Sequence, residues 1–180
     1  MLAIEKKWYQ IYTKSNAEKK LYEKILMLDA EAFLPLRKLR KQWSDRVKVI
    51  EEPAFKSYIF AKLTGTQVRM VERLAEFCCF ISYGGGGKNM TGKTNKYFPS
   101  ITDQDIDTIA KVLAIFPSAQ LQDINTLSKG SKVQINHGSL ANYQGTLLAA
   151  PTGNKVAIDI KGLAQSLVIN VPVDLLKAIA

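Results

Sequence analysis

The segment AFKSYIFAKL, residues 54–63, is the strongest indication of secondary structure in the first half of this chain. Aromatic and branched residues dominate it, which is typical of a β-strand. A second run of this kind, WYQIYT at residues 8–13, predicts a strand that neighbours the first one in the same sheet. Because successive strand residues point to opposite faces, these aromatic side chains do not all fit into one core. The surplus favours an apolar groove for a partner over simple packing beneath helices.

The segment after the first strand predicts an amphipathic helix. Ser15 and Glu18 have the spacing of a capping box, in which two side chains bond the free backbone amides of the first turn. Apolar residues follow at helical spacing, namely Ala17, Leu21, Ile25 and Leu28. Lys20 and Lys24 lie on the opposite side with Lys19 nearby, so we expect the outer side of this helix to be basic.

Apolar segments alternate with charged turns from residue 31 onward. Further strands are predicted at residues 33–36, 47–50 and 77–83. Residues 39–45 form an exposed basic stretch, and a short helix is predicted around Val68 and Val71. Cys78 and Cys79 lie in the last of these strands, where alternation predicts one thiol in the core and the other beneath the helices.

The pattern changes in the last third of the chain. Thr102 predicts the N-terminal cap of a helix, and residues 119–125 predict a linker after it. Beyond the linker, short strands separated by glycine turns indicate a small β-barrel. These strands are predicted at residues 132–136, 143–148, 155–160 and 166–171. We therefore expect a first domain over residues 1–118 and an all-β domain over residues 126–180.

The charge of the chain points to a polyanion as partner. Its 180 residues include 25 lysines and arginines against 16 acidic residues, a formal net charge of +9. Residues 1–50 hold 12 basic and 6 acidic side chains, which favours contact with nucleic acid. The alternative is a charged surface that only keeps the protein in solution. No apolar run approaches the roughly 18 residues of a membrane span, so we expect a cytoplasmic protein that contacts no membrane.

The sequence gives little support to catalysis. The segment GKNMTGKT, residues 87–94, matches the phosphate-binding pattern G-x-x-x-x-G-K-[ST]. That site needs a helix beginning at its lysine, but Pro99 and the lack of helical periodicity argue against one, so we interpret the segment as a basic loop. His137 is the only histidine and lies in a predicted turn, without partners at catalytic or metal-ligand spacing. We expect no enzyme, no metal site and no cofactor.

These features together resemble the NusG family of transcription elongation factors. The opening strand with Trp8 and Tyr9 is similar to the first strand of that family. The strongest match comprises FLPL (33–36), QWSDR (42–46) and EPAFKSYIF (52–60). These segments resemble the specialised paralogues, the class to which RfaH belongs, more than the housekeeping factor. The segment GSKVQI, residues 130–135, with Gly138 and Gly145, is similar to the KOW motif of the family's second domain.

The resemblance implies an α+β chain: an antiparallel sheet flanked by helices, then a small SH3-like β-barrel. It also implies that the first domain binds the clamp helices of RNA polymerase. By resemblance, the residues of this site are Tyr9, Tyr12, Phe55 and Tyr58. Lys14, Lys20 and Lys24 fall where paralogues approach the non-template DNA of the transcription bubble, with a solvated basic face as the alternative. The sequence departs from the family at Lys56 and Ser57, where Pro-Gly or Pro-Asn is usual.

The second domain of that family recruits a partner, such as a ribosomal protein or a termination factor. We expect Gly138 and Gly145 to serve turns, and the branched residues around them to form strands with no switch to helix. The resemblance implies a transcription elongation or antitermination factor that acts by binding. The alternative is a KOW-type RNA- or ribosome-binding protein that does not act on polymerase.

Overall fold

A computed structural model describes residues 5–43, 45–81, 101–123, 130–136, 140–141, 143–148, 155–159, 163 and 165–179. In chain order the elements are β1 (Lys7–Thr13), α1 (Glu18–Leu26), β2 (Glu31–Phe33), β3 (Leu36–Gln42), β4 (Val47–Pro53), β5 (Tyr58–Leu63), α2 (Gly65–Val71), β6 (Phe77–Phe80), α3 (Asp103–Ile115), β7 (Gln120–Asp123), β8 (Lys132–Ile135), β9 (Gln144–Leu148), β10 (Lys155–Asp159), β11 (Gln165–Asn170) and β12 (Leu176–Ala178). The chain divides into two units: Met1–Leu34 with Lys56–Asp103, and Pro35–Phe55 with Gln104–Ala180.

The first unit contains a four-stranded antiparallel sheet with strand order β2-β5-β1-β6. The two aromatic stretches form its centre, because β1 pairs with β5 from Lys7 opposite Leu63 to Tyr12 opposite Tyr58. The predicted pairing of these strands is thus confirmed. The strand β5 begins four residues later than predicted, since residues 54–57 form a bend and a turn.

One face of this sheet carries the core of the first unit, and we call it the helix face. Ile11 and Ile59 lie opposite each other on it and pack with Leu21 and Ile25 of α1 and Val71 of α2, all fully buried. Burial of side chains of this size contributes about 1.5–3 kcal/mol each. Strand alternation directs the other residues of β1 and β5 to the opposite face, which we call the tyrosine face. Its residues are Trp8, Gln10, Tyr12, Tyr58, Phe60 and Lys62.

The predicted capping box at the start of α1 is wrong. Asn16 has a positive φ of 57°, so the chain turns before the helix and Ala17 becomes the N-cap. No side chain makes a capping hydrogen bond at this position. Glu18 is buried, and its Oε1 accepts a hydrogen bond of 2.6 Å from the amide of Ser57. A complete capping box occurs instead at α2, where the side chains of Thr64 and Gln67 each bond the other's backbone amide.

The prediction for the two cysteines is also wrong, because both are exposed. The register of β1 and β6 shifts between Tyr12, opposite Cys79, and Thr13, opposite Phe77. Cys78 is the additional residue at this bulge, and a bulge interrupts the regular alternation that the prediction assumed. The strand β6 lies at the edge of the sheet and ends at Phe80, three residues earlier than predicted.

The second unit contains the two-stranded hairpin β3–β4, the helix α3 and a six-stranded antiparallel sheet with order β12-β8-β9-β10-β11-β7. The four strands predicted beyond the linker correspond to β8, β9, β10 and β11. The predicted linker at residues 119–125 contains β7, which pairs with β11 and forms one edge of the sheet. The α+β class with a small C-terminal β domain is confirmed. The division at residues 118 and 126 stays a prediction.

Gly145 has a different role from the predicted one. It lies inside β9, where an added Cβ would stand 2.6 Å from the carbonyl oxygen of Ala157, so glycine permits the close approach of β9 and β10. Gly138, His137 and the segment 87–94 lie outside the described residues. Among the residues that are described, no helix is long and apolar enough to cross a membrane.

Candidate protein-binding and nucleic-acid-binding surfaces

The register of β1 and β5 separates the four aromatic residues implied by resemblance. Tyr12 and Tyr58 lie directly opposite each other on the tyrosine face, whereas Tyr9 lies on the helix face. Phe55 precedes the turn that leads into β5 and belongs to the second unit. The sheet therefore brings two of these residues together and directs a third to its other side.

Tyr12 and Tyr58 form an aromatic pair at the open end of the tyrosine face. Their ring centroids are 5.3 Å apart at an interplanar angle of 64°, an edge-to-face contact. Tyr12 is 39% exposed and Tyr58 is half-buried, while the next residues along this face, Gln10 and Phe60, are buried. Cys79 is exposed and lies opposite Tyr12. The accessible part of this face is therefore mainly apolar, with tyrosine hydroxyls and a weakly polar thiol as its polar groups.

Tyr9 and Phe55 are not available to a partner in the same way. Tyr9 is half-buried, packs against the core of the helix face and contacts Phe80 with ring centroids 5.2 Å apart. Phe55 is only 4% exposed. Their sequence neighbours Tyr12 and Tyr58 carry the exposed aromatic surface, and only the strand register and the turn before β5 distinguish the two sets.

The turn before β5 fixes the position of Tyr58. Ser57 has a φ of 63°, in the left-handed region that glycine and asparagine enter most readily. This explains why Pro-Gly or Pro-Asn suits this position in the family that the sequence resembles. The serine is held by two hydrogen bonds: its amide donates to Glu18, and its carbonyl accepts from the amide of Thr13 at 2.9 Å.

A polar cluster closes the other end of the tyrosine face. Nε1 of Trp8 donates to Oδ1 of Asp103 at 2.7 Å, and Nζ of Lys62 lies 2.9 Å from the same oxygen. The hydrogen bond from Trp8, with that from Lys62, lowers the pKa of Asp103, and the bond with Asp103 raises the pKa of Lys62. Sequence reasoning missed this cluster, because Trp8 and Asp103 are 95 residues apart.

The three lysines implied as nucleic-acid contacts all contact Glu76: Lys20 and Lys24 through its carboxylate, and Lys14 through the backbone. Nζ of Lys24 lies 2.7 Å, and that of Lys20 3.1 Å, from the carboxylate of Glu76, whose side chain is only 6% exposed. The amide of Lys14 donates to the carbonyl of Glu76 at 2.9 Å. Hydrogen bonds from Lys24 and then Lys20 lower the pKa of Glu76 to about 2, so the carboxylate is ionised at neutral pH. The two ammonium groups at this carboxylate exceed its single negative charge, so the cluster keeps a net positive charge.

The described part of the chain contains no cluster of metal-ligand type. There, no group of three or more His, Cys, Asp or Glu side chains is arranged to hold a metal ion. What these residues do offer is a partly exposed aromatic pair and a basic cluster, which are features of binding surfaces.

Comparison with known proteins places this chain among transcription factors. Residues 6–110 match the family model NusG, described as transcription termination factor nusG. The members of this family are transcription elongation factors, and this is the class of protein that the match defines. More particularly, because the match spans more than half of its length, the chain belongs to the NusG family. Among the curated proteins none matches this sequence.

One solved structure shows the same fold. A Thermotoga maritima NusG structure, titled for its domain interaction, has 17% sequence identity and a TM-score of 0.52, covering 99% of each chain. An MjSpt4:Spt5 complex in conformation B has 14% identity and a TM-score of 0.31, covering 96% of this chain and 97% of that one. The first of these matches extends the fold assignment beyond residue 110, to nearly the whole chain.

Proposed function

We propose that this protein is an elongation or antitermination factor that binds the clamp helices of RNA polymerase at Tyr12 and Tyr58. The observation that carries this proposal is the exposed aromatic pair inside the segment that matches the family. Tyrosine is enriched at binding hot spots, since it buries a large area at a low cost in side-chain entropy. The factor would act by binding and not by catalysis, and would work where polymerase works, in the cytoplasm.

Tyr9 and Phe55 are less accessible than the tyrosine pair. Tyr9 packs beneath the sheet and Phe55 is buried before the turn, so their loss would act mainly through folding. We keep both in the proposed site, each acting through the folding of its own unit. The partner would touch Tyr12 and Tyr58 first.

The basic cluster is proposed to approach the non-template DNA of the transcription bubble. Lys14 is exposed and Lys20 is 69% exposed, even though Lys20 also pairs with Glu76. Lys24 is more enclosed and bonds both oxygens of that carboxylate, so it would act chiefly by holding the cluster together. Phosphate contacts of this kind weaken as the salt concentration rises.

The C-terminal β domain is proposed to recruit a second partner, a ribosomal protein or a termination factor. The resemblance to the RfaH class further suggests a specialised paralogue that serves selected operons, which rests on analogy alone. The six-stranded sheet with its own buried residues, among them Val133, Ile135, Val156 and Leu167, supports a domain that can present such a surface.

Retention on immobilised bacterial RNA polymerase tests the proposed clamp site. The variant Tyr12→Ala/Tyr58→Ala removes the exposed pair, and Tyr22→Ala is the matched control, because Tyr22 is a half-buried tyrosine that packs on the helix face. Loss of a hot-spot side chain costs about 2 kcal/mol, or about 30-fold in Kd. We expect weak retention of the double variant and normal retention of the control, with circular dichroism confirming that both fold.

Two outcomes would contradict the proposal. Equal retention of the double variant and the wild type would remove the aromatic pair from the interface. Absence of retention for the wild type, even with assembled elongation complexes at low salt, would favour the alternative of a KOW-type RNA- or ribosome-binding protein. That alternative predicts RNA affinity within residues 126–180.

A further inference from the structure

The hairpin β3–β4 sorts its charges along its length. At the base, opposite charges face each other: Arg37 lies opposite Glu52, with a 2.7 Å ion pair, and Lys38 lies opposite Glu51, at 4.0 Å. Cross-strand pairs of opposite charge stabilise a hairpin. The base is therefore close to electrically neutral.

The other end of the hairpin has the opposite arrangement. We call it the hairpin tip and define it by Arg40, Lys41, Trp43, Arg46 and Lys48. Lys41 lies directly opposite Lys48, and like charges in such a pair repel and destabilise the strands. In the described part of the chain, neither Arg40 nor Lys48 has a carboxylate within 4.0 Å. Lys41 lies 3.7 Å from the carboxylate of Glu52, and Arg46 lies 3.8 Å from that of Asp45. The positive charge of the tip that the described residues do not compensate therefore comes from Arg40 and Lys48.

Apolar side chains are exposed at the same place. Trp43, Val47 and Val49 are each more than half exposed. The amide of Trp43 donates to the carbonyl of Arg46 at 2.8 Å, which continues the pairing of the two strands beyond Gln42 and Val47. An indole on an ordered backbone presents a rigid aromatic surface at low entropic cost.

Cations and an exposed tryptophan together match the chemistry of an unpaired nucleic-acid strand. Arginine and lysine neutralise phosphates, and an aromatic ring stacks on a base that has no neighbour in a duplex. A charged surface that only keeps a protein in solution needs neither the exposed indole nor the repelling Lys41–Lys48 pair. An acidic protein would satisfy the cations, but the carboxylates that pair with them do not stack on the ring.

We propose that the hairpin tip binds single-stranded nucleic acid, with Trp43 stacking on a base, Lys48 contacting a phosphate on the same face of the hairpin and Arg40 contacting a phosphate on the other face. This site goes beyond the proposed function. It lies on a different segment from Lys14, Lys20 and Lys24, and binding at the tip requires no polymerase. DNA and RNA single strands share this chemistry, and the experiment distinguishes them.

Fluorescence anisotropy of labelled oligonucleotides with the full chain tests the tip directly. The probes are single-stranded DNA, single-stranded RNA and duplex DNA, each of about 15 nucleotides or base pairs, enough for one site of this kind. We expect Trp43→Ala to weaken single-strand binding about 10-fold or more, and Trp43→Phe to retain most of it. The variant Arg40→Ala/Lys48→Ala should lower the slope of log Kd against log salt by about 1.4, the value for two phosphates.

Two further variants separate binding from folding and from overall charge. Lys48→Glu places a glutamate opposite Lys41, so the hairpin should be no less stable while single-strand binding falls. Lys111→Glu is the matched control, because it makes the same change in net charge at an exposed position of α3. We expect this control to bind nearly as the wild type does.

Tryptophan emission gives a second readout of stacking. Trp43 is exposed and Trp8 is buried, so a stacked base should quench the wild type but not Trp43→Phe. Tighter binding of RNA than DNA would point to the transcript, and the reverse to a DNA strand; either result supports the proposal.

Three results would overturn the proposal: no binding of any oligonucleotide at low salt, equal affinity of wild type and Trp43→Ala, or duplex binding as tight as single-strand binding. Equal competition by polyglutamate, with the same dependence on Trp43, would also overturn it and indicate an acidic protein as the partner.

Discussion

The assignment of tyrosines to the two faces of the sheet makes a quantitative prediction for Tyr9→Ala and Tyr12→Ala. Tyr9 is half-buried against the core and contacts Phe80, so its truncation removes both packing and an aromatic pair. Truncation of a fully buried aromatic residue costs about 3–5 kcal/mol, and we expect about 2–3 kcal/mol for this half-buried one. Tyr12 loses chiefly its contact with Tyr58, and such pairs contribute about 0.5–1.5 kcal/mol.

Urea unfolding followed by the fluorescence of Trp8 measures this difference. Trp8 is buried in the same unit as both tyrosines, and a Trp43→Phe background removes the second tryptophan from the signal. With a urea dependence of about 1–3 kcal/mol per molar, the midpoint of Tyr9→Ala should lie below that of Tyr12→Ala by about 0.2–2.5 M. Tyr58→Ala and the double variant Tyr12→Ala/Tyr58→Ala complete a cycle whose coupling should be about 0.5–1.5 kcal/mol.

The reasoning would be refuted by equal midpoints for Tyr9→Ala and Tyr12→Ala, or by a lower midpoint for Tyr12→Ala. Either result would mean that the register of β1 and β5 is displaced by one residue, since such a shift exchanges the two faces. The assignment of the exposed pair to a partner surface would then fail with it.

Three further predictions concern stability. The folded pKa of Glu76 is about 2, below its ordinary 4.5. Its charge therefore stabilises the fold above pH 4.5, and this contribution is lost as the pH falls from 4.5 toward 2. In Glu76→Gln the urea midpoint should depend less on pH across that range. Thr64→Ala removes the cap of α2 and should cost about 1 kcal/mol by urea unfolding, whereas an unchanged midpoint would deny the capping box its role. Gly145→Ala forces a Cβ toward the carbonyl oxygen of Ala157 and should cost about 1–3 kcal/mol in thermal unfolding; an unchanged melting temperature would show that the two strands separate freely.

Much of the fold could be predicted because it depends on local pattern. The branched and aromatic runs at residues 8–13 and 58–63 are strands, and the helices α1, α2 and α3 follow the apolar spacing. The short strands of the C-terminal sheet follow in the same way. Positions at the ends of elements were less predictable, as Ser15 shows, because a positive φ at Asn16 moves the start of the helix.

The candidate site could be predicted only in part. Sequence and resemblance indicated which aromatic residues and lysines matter, but not which of them are exposed. A bulge at Cys78 changed the burial of the cysteine pair, and no local signal in the sequence marks a bulge. Neither Glu18 nor Glu76 was expected to be buried, because the partners that compensate a buried carboxylate are distant in the chain.

The fold class, the family and the basic, aromatic-rich first half could all be predicted from the sequence. Hydrophobic period, composition and motif order can be read along the chain without knowledge of any contact between distant segments. Tertiary structure alone decided that Tyr12 faces Tyr58 while Tyr9 faces the core, and that lysines of α1 converge on Glu76. It also decided that the hairpin tip opposes lysine to lysine. Each of these depends on register or on contacts between distant segments, where a displacement of one residue reverses the side of the sheet on which a side chain lies.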